Sequence, residues 1–284
     1  MTNLRARLGK SVLIAASLMA AASGLQARTL DAVKSGGALR VTVYNDYKPW
    51  SWKEDGVAKG IDVDLAAALA KTLGVKVDYL FLRADDDIND DLRNGVWRGS
   101  LVGEAPGDVM LHVPHDAKIE ADNDKVKLTA AYQVEGLAMA VEPDKAERAK
   151  DFSLFETEKV AVDLGTLSDF ILLSVRDHKL IDRVVHVRGE QKAVQAFDRG
   201  EVVAFYGESA MVESLSHELR KPVSIIFPEH KLARNWPVGG AVKADSIELA
   251  DAIDAATASM AASGELQKIF AAYGVNWRQP PQEK

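Results

Sequence analysis

The chain switches repeatedly between short apolar runs and apolar residues at helical spacing, with a turn residue at most of the switches. "ALRVTVY" (38–44) is a short β-branched run behind "SGG", which predicts a strand. "KPWSWKEDG" follows as a turn-rich segment. In "DVDLAAALAKTLG" (62–74), Leu65, Ala68, Leu69 and Leu73 recur at helical spacing, and Gly74 stands where a helix would end. "VKVDYLFL" (75–82) alternates like a strand. Strand, helix and strand in so short a span favour a parallel sheet with helices on its faces. The acidic run 85–91 reads as a solvated helix start, "LVGEAPG" as loop, and "DVMLHV" as another strand.

A second series follows. "VEGLAMAV" (134–141) and "KVAVDLG" (159–165) predict strands, joined by the polar connection or short helix "EPDKAERAKDFSLF". "TLSDFILLSVRDH" reads as a helix starting on Thr or Ser. Then come strand "RVVHV", helix "GEQKAVQAFDRG", strand "VVAFYG", helix "SAMVESLSHEL" and strand "VSIIF". "VGGAVKA" (238–244) is a strand. "DSIELADAIDAATASMAASG" is a long helix with Asp245 or Ser246 as its cap, and "ELQKIFAAYG" is a last helix ending at Gly274. Two α/β patterns thus stand in tandem, with a strand entering the second near 134 and one leaving it near 238. Such short crossings predict a second unit inserted into the first, with a ligand cleft between them. The expected lobes are 38–133 plus 239–284, and 134–238.

The first residues change the setting. Arg5, Arg7 and Lys10 precede the apolar "SVLIAASLMAAASGL" (11–25), and small residues follow to Ala27. This is the build of a cleavable signal peptide over 1–27, and the run is short for a bilayer span. A periplasmic location is expected. The chain has no cysteine, so disulfides and thiolate metal sites are excluded. Its net charge is −7, and loss of the three basic residues in 1–27 makes it more negative still. Nucleic acid and anionic membrane surfaces are poor partners for that balance.

"LRVTVYNDYKPWSWKEDGVAKGIDVDLAAALAKTLGVKVDY" resembles the opening of the type II periplasmic solute-binding proteins of the amino-acid family. "VAVDLGTLSDF", "AVQAFDRGEVVAFYGES" and "VGGAVKADSIELADAIDAATASMAASGELQKIFAAYG" are similar to later stretches of that family in order and spacing. The resemblance implies the type II two-lobe fold, with the second lobe inserted in the first, two hinge crossings, and closure on a small ligand. It also implies an ABC permease as partner, a monomer, and no cofactor.

The resemblance carries over to particular residues. Tyr47, two before Pro49, stands where the family sets an aromatic against the ligand, and Tyr44 where it often has Asp. Trp50 and Trp52 divide between cleft and core. After the third strand the family has small hydroxyl residues and then an Arg that grips the ligand's α-carboxylate through two bonds. Those positions here read His112, Val113 and His115, then Glu120. The implied ligand is therefore polar, cationic or neutral, and not a standard α-amino acid. Gly165-Thr166-Leu167-Ser168 matches the family's Gly-Thr turn, which can hold a ligand oxygen or simply cap a helix. Glu208 falls where the family's ammonium-binding Asp stands. Arg234 lies near the return hinge, facing either cleft or solvent. Tyr47, His115, Thr166 and Glu208 are the expected grip, with Tyr44, Trp50, His112, Glu120, Ser168 and Arg234 as further candidates.

Three other chemistries remain open. His112, His115 and Asp116 could ligate a metal, although Pro114 interrupts any helical presentation. Some proteins of this fold are dehydratases, and Glu120 or Glu208 with His115 could protonate a leaving hydroxyl if burial raised the carboxyl pKa. "DVMLHVP" also resembles solute-binding-like accessory proteins of quinoprotein (PQQ) alcohol dehydrogenases through Val113-Pro114, with His112 in place of Gly. No nucleophile elbow or phosphate-binding glycine loop occurs. The segment between Asn94-Gly95 and Asp108, with Trp97, Arg98 and Glu104, is longer than the family's turn. It reads as a surface insertion or, less simply, as a lid or docking loop.

Overall fold

A computed structural model describes residues 28–100, 103–232 and 234–281; the signal peptide expected over 1–27 lies outside them. The first sheet has the order β4-β1-β5-β13-β6, formed by Lys76–Leu82, Ala38–Tyr44, Val109–Pro114, Trp236–Lys243 and Val126–Leu128. β1 runs parallel to β4 and β5, while β13 is antiparallel to β5. The second sheet has the order β10-β9-β11-β8-β12, formed by Val184–Val187, Val160–Asp163, Ala204–Glu208, Leu137–Val141 and Ser224–Ile226. Here β9 is parallel to β10 and β11, and β8 is antiparallel to β11.

The central strands of each sheet are buried on both faces, as βαβ crossovers require, with β5 and β8 buried almost throughout. In β9, Val160 and Val162 join one apolar cluster and Ala161 the other, which is the strand's period of two. In the first lobe, helix α2 (Ile61–Thr72) puts Leu65 and Leu69 against Val41, Val43, Val109 and Leu111. Helices α8 (Ile247–Ser263) and α9 (Glu265–Ala272) return to that same core through Ile253 and Phe270. Met110 and Val113 face the opposite side with Leu92 and Val96. The second lobe's helices are α5 (Leu167–Ser174), α6 (Glu190–Asp198) and α7 (Ser209–Ser216). No helix among the described residues is long and apolar enough to cross a membrane.

The predicted strand 134–141 is in fact two. β7 (Gln133–Glu135) pairs with the start of β13, with Glu135 opposite Trp236, and β8 begins beyond Gly136 in the other sheet. The two crossings approach so closely here that a Cβ on Gly136 would stand 2.4 Å from Asn235 Oδ1. The "turn-rich" segment contains a small hairpin, β2 (Trp52–Glu54) with β3 (Val57–Lys59). A helix α1 (Leu30–Gly36), capped by Thr29, was not anticipated. Helix α3 (Ile88–Leu92) begins within the acidic run, as expected, but Asp91 in it is buried and accepts a hydrogen bond from Tyr44 Oη at 2.8 Å. In the insertion, a π-helical turn over Arg93–Trp97 buries Val96, and Trp97 packs against the same cluster, so this aromatic is anchored in the lobe.

Candidate functional site

Tyr47, just beyond β1, and Glu208, which ends β11, meet across the seam between the lobes, and the ends of strands are the usual place for ligands in open α/β sheets. β5 carries the most unusual residue there. β13 pairs Gly239 with Val113 and Gly240 with Leu111, so His112 has no ladder partner and forms a β-bulge. Its φ is +61°, a left-handed value that a non-glycine residue rarely adopts. The bulge turns its backbone N–H to Tyr132 Oη at 2.9 Å, and Tyr132 donates to Asp62 Oδ1 at 2.7 Å. Asp62 Oδ2 stands 3.5 Å from His112 Nδ1, an ion-pair contact that is long for a hydrogen bond. Both atoms are buried without another hydrogen-bond partner.

The imidazole is enclosed by aromatics. Its centroid lies 4.3 Å from the Trp50 ring and 5.0 Å from that of Tyr47, edge to face. Burial by itself would lower the pKa of His112. Asp62, and the charges of Glu208 and Glu135, outweigh that and raise it. The site therefore favours an imidazolium.

Tyr47 joins the lobes. A tight turn, with Tyr47 N–H on Ser51 O at 2.8 Å and Ser51 N–H on Tyr47 O at 2.7 Å, aims its hydroxyl across the seam. It donates to Glu208 Oε2 at 2.5 Å. Burial and the Glu208 charge push the phenol's pKa well up, so it remains a donor. Glu208 ends β11, two positions along the hinge from Glu135 in register, since it pairs with Leu137. Glu135 is buried; its Oε1 accepts from Gly136 N–H at 2.9 Å and from Ser209 Oγ and Ala210 N–H, capping α7. Its Oε2 has no partner. Burial, then Glu208, raise its pKa. Glu190 opens α6, and burial with the charges of Glu208 and Asp163 pushes it up to about 7. The seam's base thus gathers Glu135, Glu190 and Glu208 around one histidine and a tyrosine.

Of the sequence candidates, Tyr47, His112 and Glu208 come together. Trp50 is core: it is fully buried between His112 and Phe270, because an indole at the root of this loop gains more from burial than from exposure. Tyr44 lies edge-on to Tyr47 and His112, but its hydroxyl is committed to Asp91. His115 departs from expectation. After the bulge its N–H bonds Pro237 O, and its side chain lines a cavity of about 920 Å³ on the first lobe with Asp254 and Trp277, outside the seam. Asp116 is exposed and caps α4 (Ala117–Asp122) through Lys118 N–H. His112, His115 and Asp116 therefore do not converge; no metal-ligand cluster is found among the described residues. Glu120 is exposed on α4 and accepts Leu128 N–H at 3.0 Å, so it performs a structural task away from Tyr47. Thr166 caps α5 through Asp169 N–H, donates to Asp163 O at 2.8 Å and meets Ser168 Oγ at 2.7 Å. Ser168 is buried. Arg234 is exposed just before β13.

Asp62, Tyr132, Glu135 and Glu190 were missed. Asp62 left a trace: it continues the apolar stripe of Leu65 and Leu69, where a carboxylate must find a buried partner. Glu135 likewise interrupts an apolar strand. Glu190 leaves no such sign, because an acid at a helix start is ordinary.

Residues 39–97 match the model of the bacterial extracellular solute-binding proteins, family 3. The ancestral cationic amino acid solute-binding protein has the same fold, with a TM-score of 0.67 and 25% identity over 86% of this chain and 99% of that one. The L-cystine solute receptor of Neisseria gonorrhoeae, in its unliganded open form, superposes with a TM-score of 0.64 at 18% identity, over 89% of this chain and all of the other (100%). The cyclohexadienyl dehydratase of Pseudomonas aeruginosa is 47% identical over 64 residues, which span 22% of this chain and 24% of that enzyme. The chain thus has the two-lobe type II fold seen in solute-binding proteins, and its residues 39–97 match the family 3 model.

Proposed function

We propose that the chain captures a small organic cation lacking an α-carboxylate in its inter-lobe cleft, and delivers it to an ABC permease from the periplasm. The lobes in this reading are 38–133 with 239–284, and 134–238, and the protein acts as a monomer. The supporting observation is the Tyr47–Glu208 bond at the base of the seam, set among Glu135 and Glu190. Three carboxylates beside a single imidazole leave an excess of negative charge, which favours a bound cation. The resemblance sets Glu120 where amino-acid binders carry their carboxylate-gripping Arg. Likeness to a cationic amino-acid binder fits the preferred sign of charge. Tyr47, Glu208 and Glu190 would hold the cation, with the Gly165-Thr166 turn opposite.

Thermal unfolding with three probes tests this. Agmatine carries arginine's guanidinium without its carboxylate. It should stabilise the protein more than arginine does, and glutamate should not stabilise it. A ligand bound to the native state alone adds about 2.7 kcal/mol at a hundred times its Kd. Stabilisation by glutamate with none by agmatine would end the reading. A second reading, elimination of water, draws on the match to a cyclohexadienyl dehydratase and on Glu190, whose carboxyl can be protonated near neutrality. Aromatic absorbance rising from a cyclohexadienyl substrate, and lost in Glu190→Gln, would favour it.

A further inference from the structure

After α9 the chain turns at Gly274 and runs behind the hinge. Val275 is buried in the first lobe's core. Trp277 Nε1 donates to Tyr132 O at 2.7 Å. Val134 N–H donates to Arg278 O at 3.1 Å, Arg278 N–H to Gln133 Oε1 at 2.6 Å, and Gln133 Nε2 to Asn276 O at 3.2 Å. These bonds lay the tail along β7. The same residues hold the second lobe. Glu213 on α7 has a side chain only 3% exposed. It accepts from Asn276 N–H at 2.9 Å and Asn276 Nδ2 at 3.0 Å, and pairs with the Arg278 guanidinium. That guanidinium also lies 5.1 Å from the Phe227 ring centroid.

α7 is the helix that Glu208 leads into. Its first turn is capped by Glu135 from the hinge, and Arg278 Nη1 stands 3.5 Å from Ser209 Oγ. Ala210 packs into the first lobe's core, and at its far end His217 abuts Gly274. Glu213 would be a buried, unpaired charge without the tail, so α7 and the tail are bound to move together. Beyond Trp277 the tail walls the 920 Å³ cavity rather than packed core, so polar bonds hold it rather than packing.

We propose that Asn276 and Arg278 are positioning residues for ligand capture. The tail is a third crossing between the lobes, and it sets α7, and with it Glu208, at the separation where Tyr47 reaches it. Only the affinity arm of the test rests on the binding reading above.

The chain has no cysteine, so a Lys71→Cys, Lys192→Cys pair, one exposed site on each lobe, takes two spin labels cleanly. Distances are read in the unliganded mature protein, with and without Arg278→Ala or Glu213→Gln. Both substitutions should broaden the inter-lobe distribution, with Arg278→Lys restoring part of it. They should also weaken agmatine binding by about tenfold, the effect of a tenfold drop in the binding-competent population. A changed distribution in a protein that never binds agmatine supports the strap and removes the ligand reading. A lowered melting temperature with an unchanged distribution would overturn the strap, leaving the tail merely structural.

Discussion

Glu190 makes the empty protein's stability depend on pH. Its carboxyl is pushed up to about 7 by burial and by Glu208 and Asp163. A folded state that holds this proton more tightly than the unfolded chain loses stability as pH rises from the ordinary value of 4.5 through 7, and the loss persists above. Glu190→Gln removes the charge and keeps the shape. Urea unfolding should find the variant more stable than the parent at pH 8 by about 2 kcal/mol, allowing for partial solvation, and equal to it at pH 4. Equal stability at both would mean that Glu190 is solvated. His112 adds to the same trend. Its raised folded pKa gives stabilisation that is complete below about 6.5 and fades as pH climbs through the folded value. Tyr47 and Glu208 could be named from a resemblance, because their neighbours carry the motif. His112 could be named, but its bulge could not. A bulge depends on how β13 pairs with β5, which strand composition does not encode.

At the scale of elements, α2 ties the aromatic loop to the core. Ile61 N–H donates to Pro49 O at 3.0 Å and Asp62 N–H to Trp50 O at 2.9 Å, so the loop's carbonyls satisfy the helix's first donors. Gly60 permits this approach: its φ is +129°, and a Cβ would stand 2.2 Å from Trp50 O. Gly60→Ala must push Trp50 away from His112, and should cost more than about 2 kcal/mol in urea unfolding. Gly56, at φ +80° with open space around it, is the control; Ala there should cost only about 1 kcal/mol. Similar losses at both would show that backbone conformation, not contact with Trp50, decides. α2 itself was legible because its apolar spacing spans several turns. The division of 134–141 at Gly136 was not. The two halves follow each other without a turn signal other than Gly136, and only their pairing partners, β13 and β11, assign them to different sheets.

For the whole molecule, the inserted second lobe could be read from strand and helix order, since two short crossings leave few other topologies. The balance of charge in the seam could not. It arises where Glu135 on the hinge, Glu190 and Glu208 on one lobe, and His112 on the other meet, and these lie far apart in sequence. That meeting fixes how binding responds to pH. A bound cation favours ionised Glu190, whose carboxyl is pushed up to about 7, so raising the pH from 6 to 8 helps it. Agmatine affinity should rise over that interval, by up to about tenfold for a carboxyl whose pKa falls by one unit on binding. Near pH 7 binding should expel part of a proton. Calorimetry in buffers of different ionisation enthalpy would detect this as a buffer-dependent heat. Tyr47→Phe removes the cross-lobe bond without altering charge, so it should weaken binding while preserving the slope with pH. Glu190→Gln should flatten the slope. An affinity that falls as pH rises would require the seam to hold an anion on protonated His112, and the cation reading would fail.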